Sequence, residues 1–144
     1  MFATTIASVL AVTATLMGAT TATPISTGAV EAAAGGDKRA VPAAGRFTYY
    51  NPGLGACGQN HGDGDLVVAL SHADFDPSTP GGNPNKNPLC GRRLRATYAG
   101  RSVDVTVVDR CEACNAGDLD FSPAAFQALA ALSLGVIQGS WVWI

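Results

Sequence analysis

The stretch from Arg92 to Val108 constrains the fold more than any other. Arg92–Tyr98 and Ser102–Val108 flank Ala99-Gly100-Arg101, and "SVDVTV" alternates apolar and polar residues with the period of two that marks a half-buried strand. The expected structure is a hairpin in which Leu94, Thr97 and Tyr98 face Val103, Val105 and Val107. Other short apolar runs are bounded by Gly, Pro and Asn. Phe47–Tyr50 precedes the turn-rich "NPGLGACG". Leu66–Leu70 is continuous, as expected of a strand covered on both faces, and Ser140–Ile144 closes the chain with Trp141 and Trp143 on one side. One segment reads as a helix: Ser122 is placed as N-cap, Pro123 as first helical residue, and Ala124, Ala125, Phe126, Leu129, Ala130 and Leu132 follow at helical spacing. Asp76–Pro88 is almost wholly Asp, Pro, Ser, Gly and Asn and reads as a surface loop. Six or so short strands with one or two short helices make an all-β fold. A small barrel is the expected form, because closure leaves no edge exposed.

The N-terminal part stands apart. Ile6–Met17 is apolar and is followed by small residues through Ala22, so residues 1–22 read as a secretory signal, although no Lys or Arg precedes Lys38. The run is too short for a membrane span. Residues 23–39 are rich in Ala, Gly, Thr and Ser and poor in large apolar side chains, the composition of a disordered pro-segment. It ends in Lys38-Arg39, a dibasic processing site or else two solvated charges in a linker. The folded domain is therefore expected at residues 40–144. The whole chain carries a formal net charge of −2, and the two basic and two acidic residues between positions 23 and 39 cancel, so the domain keeps that charge. Neither nucleic acid nor an anionic membrane is an expected partner.

Cys57, Cys90, Cys111 and Cys114 all fall in the domain, an even number in a chain bound for an oxidising compartment. Structural disulfides are the preferred reading. A redox role for Cys111-x-x-Cys114 is the alternative, and a zinc site would need two further ligands where only His61 and His72 are available. "NHGDGD" alternates oxygen ligands at Asn60, Asp63 and Asp65 but lacks the bidentate Glu of a calcium loop, so it reads as a solvated turn. No cofactor and no metal are expected.

"FTYYNPGLGACG", "VVALSHADFD", "NPLCGRRLRATYAGRSVDVTVVDRC" and "GDLDFSPAAFQAL" together resemble the secreted fungal proteins of the RlpA-like double-psi β-barrel type, relatives of barwin and of the first domain of expansins. The matching stretches run from Phe47 to Leu129 in the family's order. The resemblance implies a six-stranded double-psi barrel with an open groove across one face. It also implies that Asp120 is the critical aspartate, Asp109 its supporting carboxylate and Thr48 a groove threonine, with Tyr49 and Tyr50 beside it. Cys111 stands where bacterial expansins carry an aromatic groove residue. Family alignment pairs Cys57 with Cys90, which leaves Cys111 for Cys114.

Asp109 ends an apolar strand and Asp120 precedes a helix, so both are expected in one shallow cleft, each raising the other's proton affinity. A carboxyl held protonated can act as general acid on a glycosidic oxygen. The alternative is that Asp118 and Asp120 simply cap the helix begun near Ser122; Asp118 is otherwise a groove candidate, as is Asp65. Hydrolysis needs a second carboxylate as base. In the barwin-like endoglucanases that this chain resembles, the base lies in the first strand's aromatic run, where the nearest residue here is Asn51. The expected function is therefore polysaccharide binding in an extracellular or cell-wall setting by an expansin-like monomer, non-hydrolytic, with a transglycosylase-like or endoglucanase-like reaction as the form any activity would take. Because the chain stops at Ile144, strong cellulose loosening is not expected. The alternative is a protein-interaction module, such as a cysteine-protease inhibitor or host-surface effector, that uses loops such as Asp76–Pro88. A purely structural wall component is a third. His72 is read as satisfying a backbone group, Arg92, Arg93, Arg95 and Arg101 as a solvated side of the hairpin, or else a binding stripe for acidic wall polymers, and the two tryptophans as core.

Overall fold

A computed structural model describes residues 41–144; the signal and pro-segment assignments, and the dibasic site, lie outside the described residues. Six strands, β1 (Ala43–Tyr49), β2 (Val67–Ser71), β3 (Arg93–Tyr98), β4 (Arg101–Cys111), β5 (Leu119–Phe121) and β6 (Ile137–Trp143), close into a barrel in the order β1-β5-β2-β4-β3-β6. Two of its six pairings, β1·β5 and β2·β4, are parallel and the other four antiparallel. This is the mixed, closed barrel expected of the double-psi type.

Local sequence explains the elements. All five residues of β2 are buried, which is why the strand reads as one apolar run. The β3–β4 hairpin forms as expected, with a register that corrects the expected facing set: Leu94 pairs with Val105 and Ala96 with Val103, while Thr97 pairs with Ser102 on the outer side. Strand alternation sends residues 94 and 96 inward, and the small Ala96 takes the place assigned to Thr97. Helix α2 (Pro123–Leu129) starts where Ser122 Oγ accepts the amide of Ala125 at 3.4 Å, with Pro at the first turn. Ala125, Phe126 and Leu129 cover the barrel core. A second short helix, α1 (His72–Phe75), and three single 3₁₀ turns at Asp76–Ser78, Pro80–Gly82 and Pro84–Lys86 give the Asp76–Pro88 loop a fixed shape. Buried Asn87 pins it from within, donating to Phe75 O at 2.7 Å and Thr79 Oγ1 at 2.8 Å.

The core joins Phe47, Leu70, Leu94, Leu119, Phe121, Phe126 and Trp141. Phe47 meets Phe121 edge to face at 5.1 Å between ring centroids, a favoured aromatic geometry. Gly139 makes room for Phe47, because a Cβ there would overlap its ring. Trp141 and Trp143 share one side of β6, as expected, and Trp141 Nε1 donates to Gly117 O at 2.9 Å. Both expected disulfides are present, Cys57–Cys90 and Cys111–Cys114.

Candidate functional site

On β1 the side chains alternate: Phe47 points into the core, Thr48 and Tyr50 point away from it. β5 behaves alike, with Asp120 half-buried on the outer side between buried Leu119 and Phe121. The registers then place four residues in a row across four strands. Thr48 pairs with Asp120, Asp120 with Ala69, and Ala69 with Asp109. Ala69 is the small residue within the apolar run "VVAL", and its methyl leaves room for the carboxyl groups on either side.

Each carboxylate is held differently. Thr48 Oγ1 donates to Asp120 Oδ1 at 2.7 Å. Asp109 Oδ1 accepts the amides of Ala56 at 2.7 Å and of Arg110 at 2.8 Å, and its Oδ2 accepts the Tyr50 hydroxyl at 3.2 Å. The strap carrying Ala56 lies close to β4 because Gly55 has no Cβ: one would overlap Val108 O and press on the Asp109 side chain. Cys57, next in the strap, donates its amide to Val108 O at 3.2 Å and is tied to Cys90. Burial raises the Asp120 carboxyl above the ordinary aspartate range, against the pull of the Thr48 hydrogen bond and the Arg46 charge, and the charge of Asp109 adds to the rise. Burial, the charge and hydrogen bond of Asp109, and the charge of Asp120 together push the Tyr50 phenol above the ordinary tyrosine range. Both carboxylates thus act on the same phenol.

Three other candidates stand elsewhere. Tyr49 is one residue out of phase with Thr48, so its ring goes to the other side of β1 and packs 5.1 Å from that of Phe126. Asp118 is buried; it accepts the Arg46 amide at 2.7 Å and the Asn115 amide at 3.0 Å and so anchors the Cys114–Gly117 turn to β1. The N-cap of α2 is Ser122, so Asp118 does not cap that helix. Asp65 is exposed, takes the Gly62 amide at 2.9 Å and lies 3.4 Å from His61 Nδ1. Asn51 donates its side-chain amide to Asp63 at 2.9 Å. Among the described residues no group of three His, Cys, Asp or Glu side chains is placed to hold a metal. A cleft of 440 Å³ opens between the Asp76–Pro84 turns and Arg110, and one of 260 Å³ beside the Cys57–Cys90 disulfide. Neither is lined by Asp109 or Asp120.

A double-psi β-barrel family described as lytic transglycolase matches residues 42–141. The chain belongs to this family. Within reach of the family are proteins of different description. A papain inhibitor of Streptomyces mobaraensis is 39% identical over 104 residues, which cover 69% of this chain and 70% of that protein. An Allergen Asp f 7 homolog of Arthroderma benhamiae is 34% identical over 89 residues, 61% of this chain but 29% of its own length. Among solved structures, the Streptomyces papain inhibitor superposes with a TM-score of 0.66 at 37% identity, over 72% of this chain and 94% of that one. A mutant Clavibacter michiganensis expansin in complex with cellohexaose superposes with a TM-score of 0.59 at 30% identity, over 72% of this chain and 50% of the expansin. This chain therefore corresponds to about half of that expansin.

The residues that sequence reasoning missed are Ala69, which separates the carboxylates, and the amides of Ala56 and Arg110, which fix Asp109. The lone small residue inside "VVAL" is the signal that could have found the first. The others are backbone groups, and side-chain identity does not encode them.

Proposed function

We propose that this domain is an extracellular, expansin-like binder of a neutral wall polysaccharide, which lies across Thr48, Asp120, Ala69 and Asp109 with Tyr50 at the end of the row. The observation that supports the reading is Asp120: a half-buried carboxyl, raised in proton affinity, in register through Ala69 with a second carboxylate. The family membership and the likeness to an expansin bound to cellohexaose support it. The two disulfides support an extracellular setting.

Asp120 is suited to donate a hydrogen bond or a proton to a glycosidic oxygen. The oxygens of Asp109 already receive three donors, and Asn51 carries a non-basic amide whose nitrogen donates to Asp63, so neither side chain is suited to activate water as a base. Binding, loosening or a transglycosylase-like step fits this arrangement better than hydrolysis. Pull-down on insoluble cellulose, chitin and peptidoglycan should retain the wild type and lose Asp120→Asn. Failure of the wild type to bind any of the three would end the proposal.

A second reading is protein recognition, favoured by the 39% identity to a papain inhibitor and the 94% coverage of the solved one. The Asp76–Pro88 loop, held by Asn87 and by the Arg110 guanidinium on Asp76 at 2.6 and 2.7 Å, would be the element presented. Papain inhibition measured with and without that loop separates this reading from the first.

A further inference from the structure

We propose that the outer face of β3 and the β3–β4 turn, on the side of the barrel away from the carboxylate row, is a second binding surface for an acidic polysaccharide, a polyuronate chain. The inference is independent of what the groove binds.

The barrel is polarised in charge. In the order β1-β5-β2-β4-β3-β6, the row of Thr48, Asp120, Ala69 and Asp109 spans β1, β5, β2 and the end of β4, so β3 and β6 lie across the barrel from β5 and β2. Four exposed arginines lie along β3 and the β3–β4 turn: Arg93 and Arg95 on the outer face, and Arg92 and Arg101 at the two ends of the strand, in phase with its inward residues. Leu94 and Ala96 are fully buried, so Arg93 and Arg95 both point outward, roughly 7 Å apart along the strand. Strand β6, which flanks them, carries no charged residue. A single acid faces the group. Asp104 accepts from Nε and Nη2 of Arg95, at 2.6 and 2.8 Å, and lies 3.6 Å from Arg93. Among the described residues Arg92 and Arg101 have no carboxylate within ion-pair distance. The outer face therefore has a formal surplus of one positive charge, and Arg92 and Arg101 add two more at the ends of the strand, on a chain whose net charge is −2.

Two details make it a surface rather than a scatter of charges. The Arg92 guanidinium lies 4.1 Å over the ring of Trp143, which holds it flat and ordered before any partner arrives. Between the arginines the face is hydroxylic, with Thr97 and Ser102 hydrogen-bonded at 3.1 Å and Ser140 in register with Thr97. Guanidinium groups pair with carboxylates in bidentate fashion, and hydroxyls suit sugar hydroxyls. A polyuronate carries one carboxylate per sugar ring. Duplex nucleic acid, with a charge every ~1.7 Å, would be repelled more strongly by the acidic remainder of the chain. A lipid surface would want a cluster of projecting apolar side chains, and the exposed large hydrophobic residues adjoining β6 are Val136 and Ile144, one at each end of the strand.

The test is affinity for polygalacturonate in low salt. The wild type should bind, and release as salt shortens the screening length. Arg93→Gln with Arg101→Gln should weaken binding by about tenfold, the product of two exposed ion pairs worth about threefold each. Asp104→Asn should strengthen it several-fold by releasing Arg95 and Arg93, a gain that a misfolded variant cannot imitate. Asp120→Asn should bind polygalacturonate as the wild type does. The proposal is overturned by absence of wild-type binding, by Asp104→Asn binding no better, or by equally tight binding to phosphatidylserine vesicles or duplex DNA.

Discussion

Thr48 and Asp120 are register partners across the parallel β1·β5 pair, and the hydroxyl of one donates to the carboxyl of the other at 2.7 Å. That bond opposes the burial that raises Asp120. Thr48→Val should therefore raise the Asp120 carboxyl further and cost about 1 kcal/mol of stability. Carboxyl-carbon NMR titration reads the first effect and urea unfolding the second; an Asp120 titration that stays put would contradict the assignment.

Because Asp120 titrates higher in the folded than in the unfolded protein, the folded state binds more protons between the unfolded value of about 3.9 and the raised folded one. Stability contributed by this group is present below that window and is lost as pH rises through it. Asp120→Asn, which keeps an acceptor for Thr48, should be more stable than the wild type at neutral pH, with the difference vanishing at acid pH. Melting temperatures across pH give the comparison.

Tyr50 offers a spectroscopic handle on the same pair. Its phenol is held above the ordinary tyrosine range, so an alkaline titration followed by phenolate absorbance should show a last step above that range. Tyr50→Phe should remove that last step and cost about 1 kcal/mol, since Asp109 keeps its two backbone donors.

The glycine under the strap is a third point of control. Gly55→Ala places a methyl against Val108 O and the Asp109 side chain, and should destabilise by about 2 kcal/mol while displacing Asp109. Exposed Gly62, which has open space around it, is the matched comparison and should tolerate alanine at near-zero cost.

The disulfides should differ in weight. Cys57 and Cys90 close a loop of 33 residues, and replacing both by Ala should cost roughly 3–4 kcal/mol; Cys111 and Cys114 are three apart, and the same change should cost roughly 1.5–2 kcal/mol. Denaturant midpoints of the two double variants decide the order.

Much of this architecture was legible along the chain wherever a local rule applied. The hairpin was visible in "SVDVTV", the helix in Ser122-Pro123 and the last strand in its tryptophans. Strand β5 escaped because Leu119–Phe121 is too short for a period of two to repeat, and its place between β1 and β2 is a matter of topology. That Asp109 and Asp120 would lie near one another was expected from their places at a strand end and before a helix, whereas the residue between them, Ala69, comes from a strand some forty positions before Asp109 and became evident only from register. Tyr49 shows the sensitivity of such readings: one step along a strand moves a side chain through the wall of the barrel.

The pairing of β1 with β6 joins Ala43–Phe47 to Ile137–Trp141, nearly the full span of the folded chain. Ring closure must wait for that meeting, so assembly should be slow for a protein of this size. The cystine between residues 57 and 90 falls within the first half and can form while the last strand is still unmade, shortening the search that remains.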